Sequence, residues 1–355
     1  MNRFAYDLTR EEWKEWVLEQ RLPAFRAGQI AGWIARGIQS ADEMTNLPHT
    51  LRRLLTESFD FQGLTVDSCL VSSIDDTRKY IFRLSDGNVI ESVLMHYHHG
   101  YSVCISSQAG CRMGCTFCAS TGAGFGRNLT SGEMLAQVLR IARDTGVRIG
   151  HVVIMGIGEP LDNYDQVIAF LKAVNDPDGA NIGMRHISLS TCGLVPEMLK
   201  FTDEGLPVTL SISLHAPNDR IRQQLMPIAR TYPMDDLIRA CQRHINRTGR
   251  RIVIEYALIS GINDQPEHAR ELAGRLRGML CHVNLIPANE FQGGRYQQSS
   301  QKAVRAFLDV LTETGQSATI RRELGSDIMA ACGQLRRRLE ACTNPAVTQP
   351  RQTSD

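Results

Sequence analysis

The sequence predicts an α/β fold with a parallel sheet, arranged as a barrel or partial barrel behind a small helical domain. Three observations carry this expectation. Between about residues 103 and 322, short apolar runs alternate with amphipathic stretches of helical period. No Gly-x-Gly-x-x-Gly follows the first of these runs, which favours a barrel over a doubly wound dinucleotide-binding sheet. Ahead of residue 60, the apolar positions recur at helical spacing.

Taken in order, residues 1–60 form the expected helical domain. Thr9 followed by Glu12 is a capping-box pattern, and Trp13, Trp16 and Val17 then recur at helical spacing. Ala24–Arg36 and Leu47–Ser58 give two more short helices, broken by Gly37 and Pro48. Arg26, Arg52 and Arg53 form either a basic contact surface or the solvated charges of an ordinary packed domain. Residues 61–100 alternate with β-branched positions, and Asp86-Gly87 is a hairpin signal, so two or three antiparallel strands are expected as a short β-extension.

The barrel occupies residues 101–340. Its strands are predicted at 103–107, 151–155, 186–190, 208–214, 252–258, 282–286 and 318–321. Helices are predicted between them, among others at 131–144, 164–174, 234–247, 266–277 and 300–314. Residues 341–355 are polar and proline-bearing and read as a disordered tail.

Composition limits the function. In 355 residues, 43% are hydrophobic, which supports a sizeable core and excludes global disorder. The net charge of +1 means that any nucleic-acid contact must come from local patches. There is no run long enough to span a membrane and no apolar signal region, so a cytoplasmic protein is expected. In that reducing setting, the ten cysteines are more often ligands or reagents than disulfides.

One run stands out, from Cys104 to Cys118. Cys111 and Cys115 have three residues between them, and Cys115 and Cys118 have two. Thiolates this close repel one another unless a cation binds them. A disulfide would strand the third, and zinc usually takes four ligands, for which no second cysteine pair of the usual spacing exists. A [4Fe–4S] cluster held through three irons, with one iron open, suits the spacing best; zinc or chance is the alternative.

Barrel enzymes place their ligands in the loops after the strand C-terminal ends. The run at 151–155 leads to Gly156-Ile157-Gly158-Glu159, where glycines admit a ligand and Glu159 can accept from an ammonium group. Later runs lead to Ser190-Thr191-Cys192-Gly193, to Ser213-Leu214-His215 and to Pro287-Ala288-Asn289. Each has an ordinary structural explanation as a helix cap or a half-buried histidine, but several polar rims on successive strands are more specific than one. Cys332, beside Gly333 and past the last strand, is either a buried structural cysteine or an accessible nucleophile.

These residues converge on one family. Over about residues 14–336 the chain resembles the RlmN/Cfr family of radical S-adenosylmethionine (SAM) RNA methyltransferases. The resemblance rests on LPAFRAGQI, CISSQAGCRMGCTFCAS, GFGRNLTSGEM, MGIGEPLDNYDQV, SLSTCGLVPEM, SISLHAPNDRIRQQLMPI, CHVNLIPAN and DIMAACGQL. It implies a radical SAM partial (β/α)6 TIM-type barrel with the helical accessory domain and β-extension. It implies that Cys111, Cys115 and Cys118 hold a [4Fe–4S] cluster. Gly158, Glu159, Ser190, Ser213, Leu214, His215 and Asn289 match positions that contact SAM. Cys332 matches a cysteine that carries a methyl group, Cys104 its resolving partner through a transient disulfide, and Glu91 a proton acceptor.

The implied chemistry needs both free cysteines. C2 of adenine is electron-poor, so displacement on SAM alone cannot methylate it. In the family's reaction, the Cys332 thiolate takes a methyl from one SAM, and a second SAM supplies a radical that activates that methyl. The carbon radical adds to adenine, Cys104 attacks the Cys332 sulfur, and the base gives up its proton. The implied substrates are adenosine 2503 of 23S rRNA and adenosine 37 of some tRNAs, unstacked to reach the site. A flavodoxin or ferredoxin system is the implied electron donor to a monomeric enzyme. Arg243, Arg247, Arg250, Arg251 and Arg336 to Arg338 are candidate RNA contacts.

The alternatives are a Cfr-like enzyme acting at adenine C8, a non-catalytic Fe–S RNA-binding protein, and a radical SAM enzyme with a non-RNA substrate. Retention of both Cys104 and Cys332 argues against a binding module. Cys192 and Met329 depart from the common family pattern, and Cys192 has no assigned role.

Overall fold

The structure is a computed structural model, described here over residues 2–122, 124–289, 295–331 and 333–335. The predicted tail and Arg336 to Arg338 lie outside the described residues.

The chain opens with β1 (Arg3–Phe4), α1 (Arg10–Glu19), α2 (Phe25–Ile34), α3 (His49–Ser58) and β2 (Phe59–Asp60). Thr9 and Glu12 form the predicted capping box. The short parallel pairing of β1 with β2 was not legible in the sequence; it closes the helical unit around Trp13, Val17, Ile30 and Leu55.

Three antiparallel strands follow, β3 (Leu64–Val71), β4 (Arg78–Leu84) and β5 (Val89–Tyr97), leading into β6 (Gly100–Ile105). Gly87, in the predicted turn, has φ +83°, which glycine adopts without strain. Two short strands, β7 (Gln108–Ala109) and β8 (Arg127–Asn128), then pair across the loop that carries the three cysteines.

The barrel proper alternates α4 (Ser131–Thr145), β9 (Ile149–Ile154), α5 (Tyr164–Val174), β10 (Ile187–Thr191), α6 (Val195–Asp203), β11 (Thr209–Ser213), α7 (Asp219–Leu225), α8 (Met234–Thr248), β12 (Ile252–Leu258), α9 (Pro266–Leu276), β13 (Cys281–Pro287), α10 (Gln301–Glu313) and β14 (Ala318–Ile320). The sheet order is β14-β13-β12-β11-β10-β9-β6-β5-β4-β3. From β6 to β14 the pairings are parallel, giving six βα units and a final strand; β5, β4 and β3 extend the same sheet antiparallel. Among the described residues the sheet runs from β14 to β3 without closing on itself, so the architecture is a partial barrel with a β-extension.

Helix α4 joins the units. Its first turn is capped by Thr130 and Glu133, and Gly146 in the left-handed region ends it. The Gly132 N–H donates to Asp7 Oδ1 at 3.0 Å, and a side chain there would strike Tyr6 and Asp7, so glycine lets the N-terminal unit sit on the helix. Buried Gln137 accepts from the Ser92 hydroxyl (2.7 Å) and the Ser106 N–H (2.9 Å), and donates to the Ser106 carbonyl (3.0 Å). This fixes the chain where β6 hands over to the cysteine loop. Among the described residues, no helix is long and apolar enough to cross a membrane.

Candidate active site

The cysteine loop begins with a close approach. Gly110 has φ +86°, and a Cβ there would lie 1.9 Å from the Gly124 carbonyl oxygen. Further along, the Thr116 N–H donates to the Leu225 carbonyl (2.9 Å) and the Thr121 hydroxyl to that of Cys118 (2.9 Å). These contacts turn Cys111, Cys115 and Cys118 toward one cavity at the C-terminal ends of the parallel strands.

Burial pushes the Cys111 thiol up to about 12, against a hydrogen bond from the Met113 N–H. Burial, then Cys118 and Cys111, push the Cys115 thiol well above its ordinary value. Such thiols ionise only when a cationic group takes them as ligands. A four-iron cluster takes each thiolate on a separate iron and suits sulfurs spread around a cavity wall. The residues therefore fit the group.

The opposite wall comes from the strand ends. Gly158, with φ +112°, passes so close to the loop that a Cβ would meet Ser107 Oγ and Gln108 Cβ at 2.7 Å. Its neighbour Glu159 is buried, with Oε1 accepting from the Leu161 N–H (3.0 Å) and Oε2 from the Cys192 N–H (2.7 Å). Burial raises the Glu159 pKa, and these N–H donors oppose it. The Cys192 and Thr191 side chains also hydrogen-bond to it, so the carboxylate is fixed as an acceptor in the cavity wall.

Ser190 Oγ and Ser213 Oγ lie 3.2 Å apart on β10 and β11. His215 holds φ +55°, and its Nδ1 accepts from the Ala257 N–H at 2.9 Å. Burial, assisted by Arg222, depresses its pKa to about 3. The ring is therefore neutral, with its proton on Nε2, and it packs edge-on to Phe117. Asn289 lines the same cavity. Leu214 does not; it is fully buried, and its N–H donates to the Glu255 carbonyl at 3.1 Å.

A second cavity adjoins the first, and Met155, Ile286, Asn289 and Arg321 line both. Cys104 lines the second, opposite Val93 in the β5–β6 register. Glu91 is buried two residues before Val93, hence on the same face of β5. It lines neither cavity, and its carbonyl accepts from the Ser106 hydroxyl at 2.7 Å. Cys332 lies outside the described residues; its neighbour Ala331 lines the second cavity and Gly333 the first.

Several residues at the site were not singled out from sequence. Residues 325–331 and 333–335 are strapped down by both flanks. Asp327 accepts from the Ser72 hydroxyl (2.7 Å) and the Ser73 N–H (2.9 Å), Asp75 accepts from the Gly325 N–H (2.9 Å), and Lys79 Nζ donates to the Met329 carbonyl (3.1 Å). On the other side, the Ala119 N–H donates to the Gly333 carbonyl (2.8 Å) and the Ser120 hydroxyl to that of Leu335 (2.7 Å). Buried Asn263 donates to the carbonyls of His215 (2.8 Å) and Ala257 (2.6 Å) and accepts from the Ile259 N–H (2.7 Å). Glu255, also facing the first cavity, accepts from Asn284 at 2.9 Å. Its one legible signal is an acid inside the apolar strand IVIEYAL. Of the candidate RNA-contacting arginines, Arg53 and Arg243 sit in exposed ion pairs with Glu57 and Asp203.

Comparisons with known proteins place the chain in a family. Residues 105–273 match the radical SAM superfamily, and residues 5–60 match a ribosomal RNA large subunit methyltransferase N-terminal domain. The chain is 50% identical over 332 residues to a Clostridium tetani protein named "probable dual-specificity RNA methyltransferase RlmN", covering 94% of this chain and 95% of that protein. A protein of the same name from Alkaliphilus oremlandii is 52% identical over 93% of this chain and 96% of its own length. The crystal structure of a radical SAM methyltransferase from Sphaerobacter thermophilus superposes with a TM-score of 0.92 at 43% identity, covering 95% of this chain and 100% of that one.

Proposed function

The chain belongs to the RlmN family of radical SAM RNA methyltransferases, and from that premise we propose that it methylates C2 of an adenosine in 23S rRNA and in tRNA. The observation that carries the reading is the pair of adjoining cavities. One is walled by the three-thiol loop and the other by Cys104, and Ala331 and Gly333, on either side of Cys332, line one each.

In this reading Cys111, Cys115 and Cys118 hold a [4Fe–4S] cluster, and the cluster with SAM supplies the electron and the radical chemistry. Everything else is done by the chain. Glu159, held by two backbone N–H groups, receives the ammonium of SAM. Neutral His215 offers its Nε2–H as a donor to that ligand, and Gly158 lets the ligand approach the backbone. Ser190, Ser213 and Asn289 supply hydroxyl and amide contacts to it, with Leu214 placed behind them. Cys332 carries the methyl group as a thioether. After the radical adduct has given one electron back to the redox system and the C2 proton to Glu91, the Cys104 thiolate attacks the Cys332 sulfur; a disulfide forms, the carbon–sulfur bond that joins enzyme and RNA breaks with its electron pair on carbon, and that carbon takes a proton to become the methyl group. The apolar wall of the second cavity, with Val93, Met95 and Leu324, excludes water from that step. The donor of electrons is a flavodoxin or ferredoxin system, and the enzyme works in the cytoplasm as a monomer.

The test is reconstitution of the cluster followed by reaction with SAM, reductant and either RNA, with nucleosides analysed by mass spectrometry. 2-Methyladenosine in both RNAs is expected. 8-Methyladenosine would move the assignment to C8, and product in rRNA alone would remove tRNA.

A further inference from the structure

Directly behind the site lies a cation with no role in the chemistry above. Arg222, on α7, is fully buried at 0% exposure. Its Nη2 donates to the Cys192 carbonyl (2.6 Å) and its Nη1 to the Tyr232 carbonyl (3.4 Å), and its Nε has no partner. Among the described residues, no carboxylate forms an ion pair with it. Asp219, one turn earlier on α7, is turned to the Met234 N–H at 2.8 Å. A buried guanidinium satisfied only by carbonyls is costly unless an anion stands nearby.

The surroundings say which anion. The helix that carries Arg222 ends at the Leu225 carbonyl, which accepts from the N–H of Thr116, the residue after Cys115. The Cys192 carbonyl that Arg222 holds belongs to a cavity-lining residue whose own N–H is bound to Glu159. Gly193 leaves room for the guanidinium, since a Cβ there would lie 3.3 Å from Nη2. Burial disfavours the Arg222 charge, and negative charge on Cys192, Cys115 or Asp219 favours it, which places Arg222 within electrostatic reach of a cluster ligand.

We propose that Arg222 is the fixed counter-charge of the cluster bound by Cys111, Cys115 and Cys118, and that it sets how readily that cluster accepts an electron. The inference rests on the cofactor assignment given above. Three thiolates and a core of charge two plus carry one net negative charge. One electron from an external reductant, which is itself oxidised by one electron, makes that two. A cation held in a low-dielectric interior favours the more negative state, and its fixed position needs no reorganisation as the electron arrives. Arg222 is thus a positioning residue acting on the cluster through space.

The experiment compares the full-length wild type with Arg222→Gln and Arg222→Lys. Glutamine keeps a donor for the Cys192 carbonyl and removes the charge; lysine keeps the charge and loses the planar fork. Each protein is reconstituted, its iron content and visible absorption are recorded, and the cluster is titrated with a reductant while its reduced form is followed by electron paramagnetic resonance. At a fixed potential, the ratio of reduced to oxidised cluster is expected to fall at least tenfold in Arg222→Gln, 59 mV for a one-electron couple, and to stay within about threefold of wild type in Arg222→Lys. Equal ratios in all three proteins, or an equal fall in both variants, would overturn the proposal and leave Arg222 as a brace for two carbonyls. An unchanged ratio with weakened SAM binding would likewise overturn it, assigning the charge to Glu159. Absence of a cluster in the wild type would instead defeat the cofactor assignment. Should Arg222→Gln not accumulate folded, Arg222→citrulline, neutral with the same planar donors, is measured against the same thresholds.

Discussion

Replacing Asn263 by alanine is expected to damage both stability and ligand binding, and the magnitude can be worked from its contacts. Its fully buried side chain serves three backbone groups, the carbonyls of His215 and Ala257 and the N–H of Ile259. Truncation leaves all three without a partner. Each buried unsatisfied group costs about 1–3 kcal/mol, and allowing for relaxation and water entry, a loss of roughly 3–5 kcal/mol follows. That is a large part of the ~5–15 kcal/mol that usually separates folded from unfolded chains. His215 is the second casualty. Its φ of +55° is unfavourable for a residue with a side chain, and the Asn263 bond to its carbonyl helps to hold it there. Once released, the imidazole leaves the Ala257 N–H and the cavity wall, and SAM affinity should fall at least about tenfold, equivalent to ~1.4 kcal/mol. The assay is urea unfolding of the cluster-free chain by circular dichroism, with calorimetric titration of SAM into the reconstituted one. Asn263→Asp, nearly isosteric, should be no better, because it turns an oxygen toward two carbonyl oxygens. A stability loss below about 1 kcal/mol in the alanine variant, or an aspartate variant equal to wild type, would refute the reasoning.

Three further outcomes are expected. The unfolded His215 imidazole takes up a proton below its ordinary 6.5, whereas the buried ring stays neutral down to about 3, so stability present above pH 6.5 is lost as pH falls toward 3. His244, depressed to about 4, titrates in the same direction, so denaturant midpoints of His215→Gln should fall less steeply over this window than those of wild type, without becoming flat; identical slopes would count against the assignment. Gly110→Ala puts a methyl 1.9 Å from the Gly124 oxygen at a positive φ, and the iron content after reconstitution should drop severalfold while α-helical circular dichroism is retained. Cys104→Ala should accumulate a covalent protein–RNA adduct, visible as a shifted band on a denaturing gel; clean turnover would remove the resolving role.

The clamp on segment 325–335 relates fold to function. Its residues are joined to the β3–β4 turn across about 250 positions of sequence and to the cysteine loop across about 215. The β-extension therefore walls the second cavity, through Val93, Met95 and Tyr97. Its strand β5 pairs directly with the strand of Cys104, and its turn holds Asp327 and Gly325. Buried Lys79, which pairs with Val93 in the β4–β5 register, donates to that segment's backbone at the Met329 carbonyl.

What the sequence determined by itself is what local geometry encodes. The Thr9–Glu12 cap, the turn at Gly87, and elements such as β12 over 252–258 and α5 over 164–174 follow from hydrogen-bonding and burial patterns with periods of two and 3.6 residues. The three-cysteine spacing follows likewise from the reach of one short loop. Tertiary structure alone decided which polar groups would be buried together. Arg222, Asn263 and Lys79 look like ordinary surface residues in sequence, because each is buried against a carbonyl from a distant segment, that of Cys192, His215 or Met329. The same holds for the division of the cysteines. Cys104 lies seven residues before Cys111 in the chain, yet it lines a different cavity, because β6 ends between them and strand alternation turns its thiol toward Val93 and the C-terminal segment. Spacing along a chain fixes what a loop can grasp; which face of a sheet meets which returning segment is set only when the strands pair.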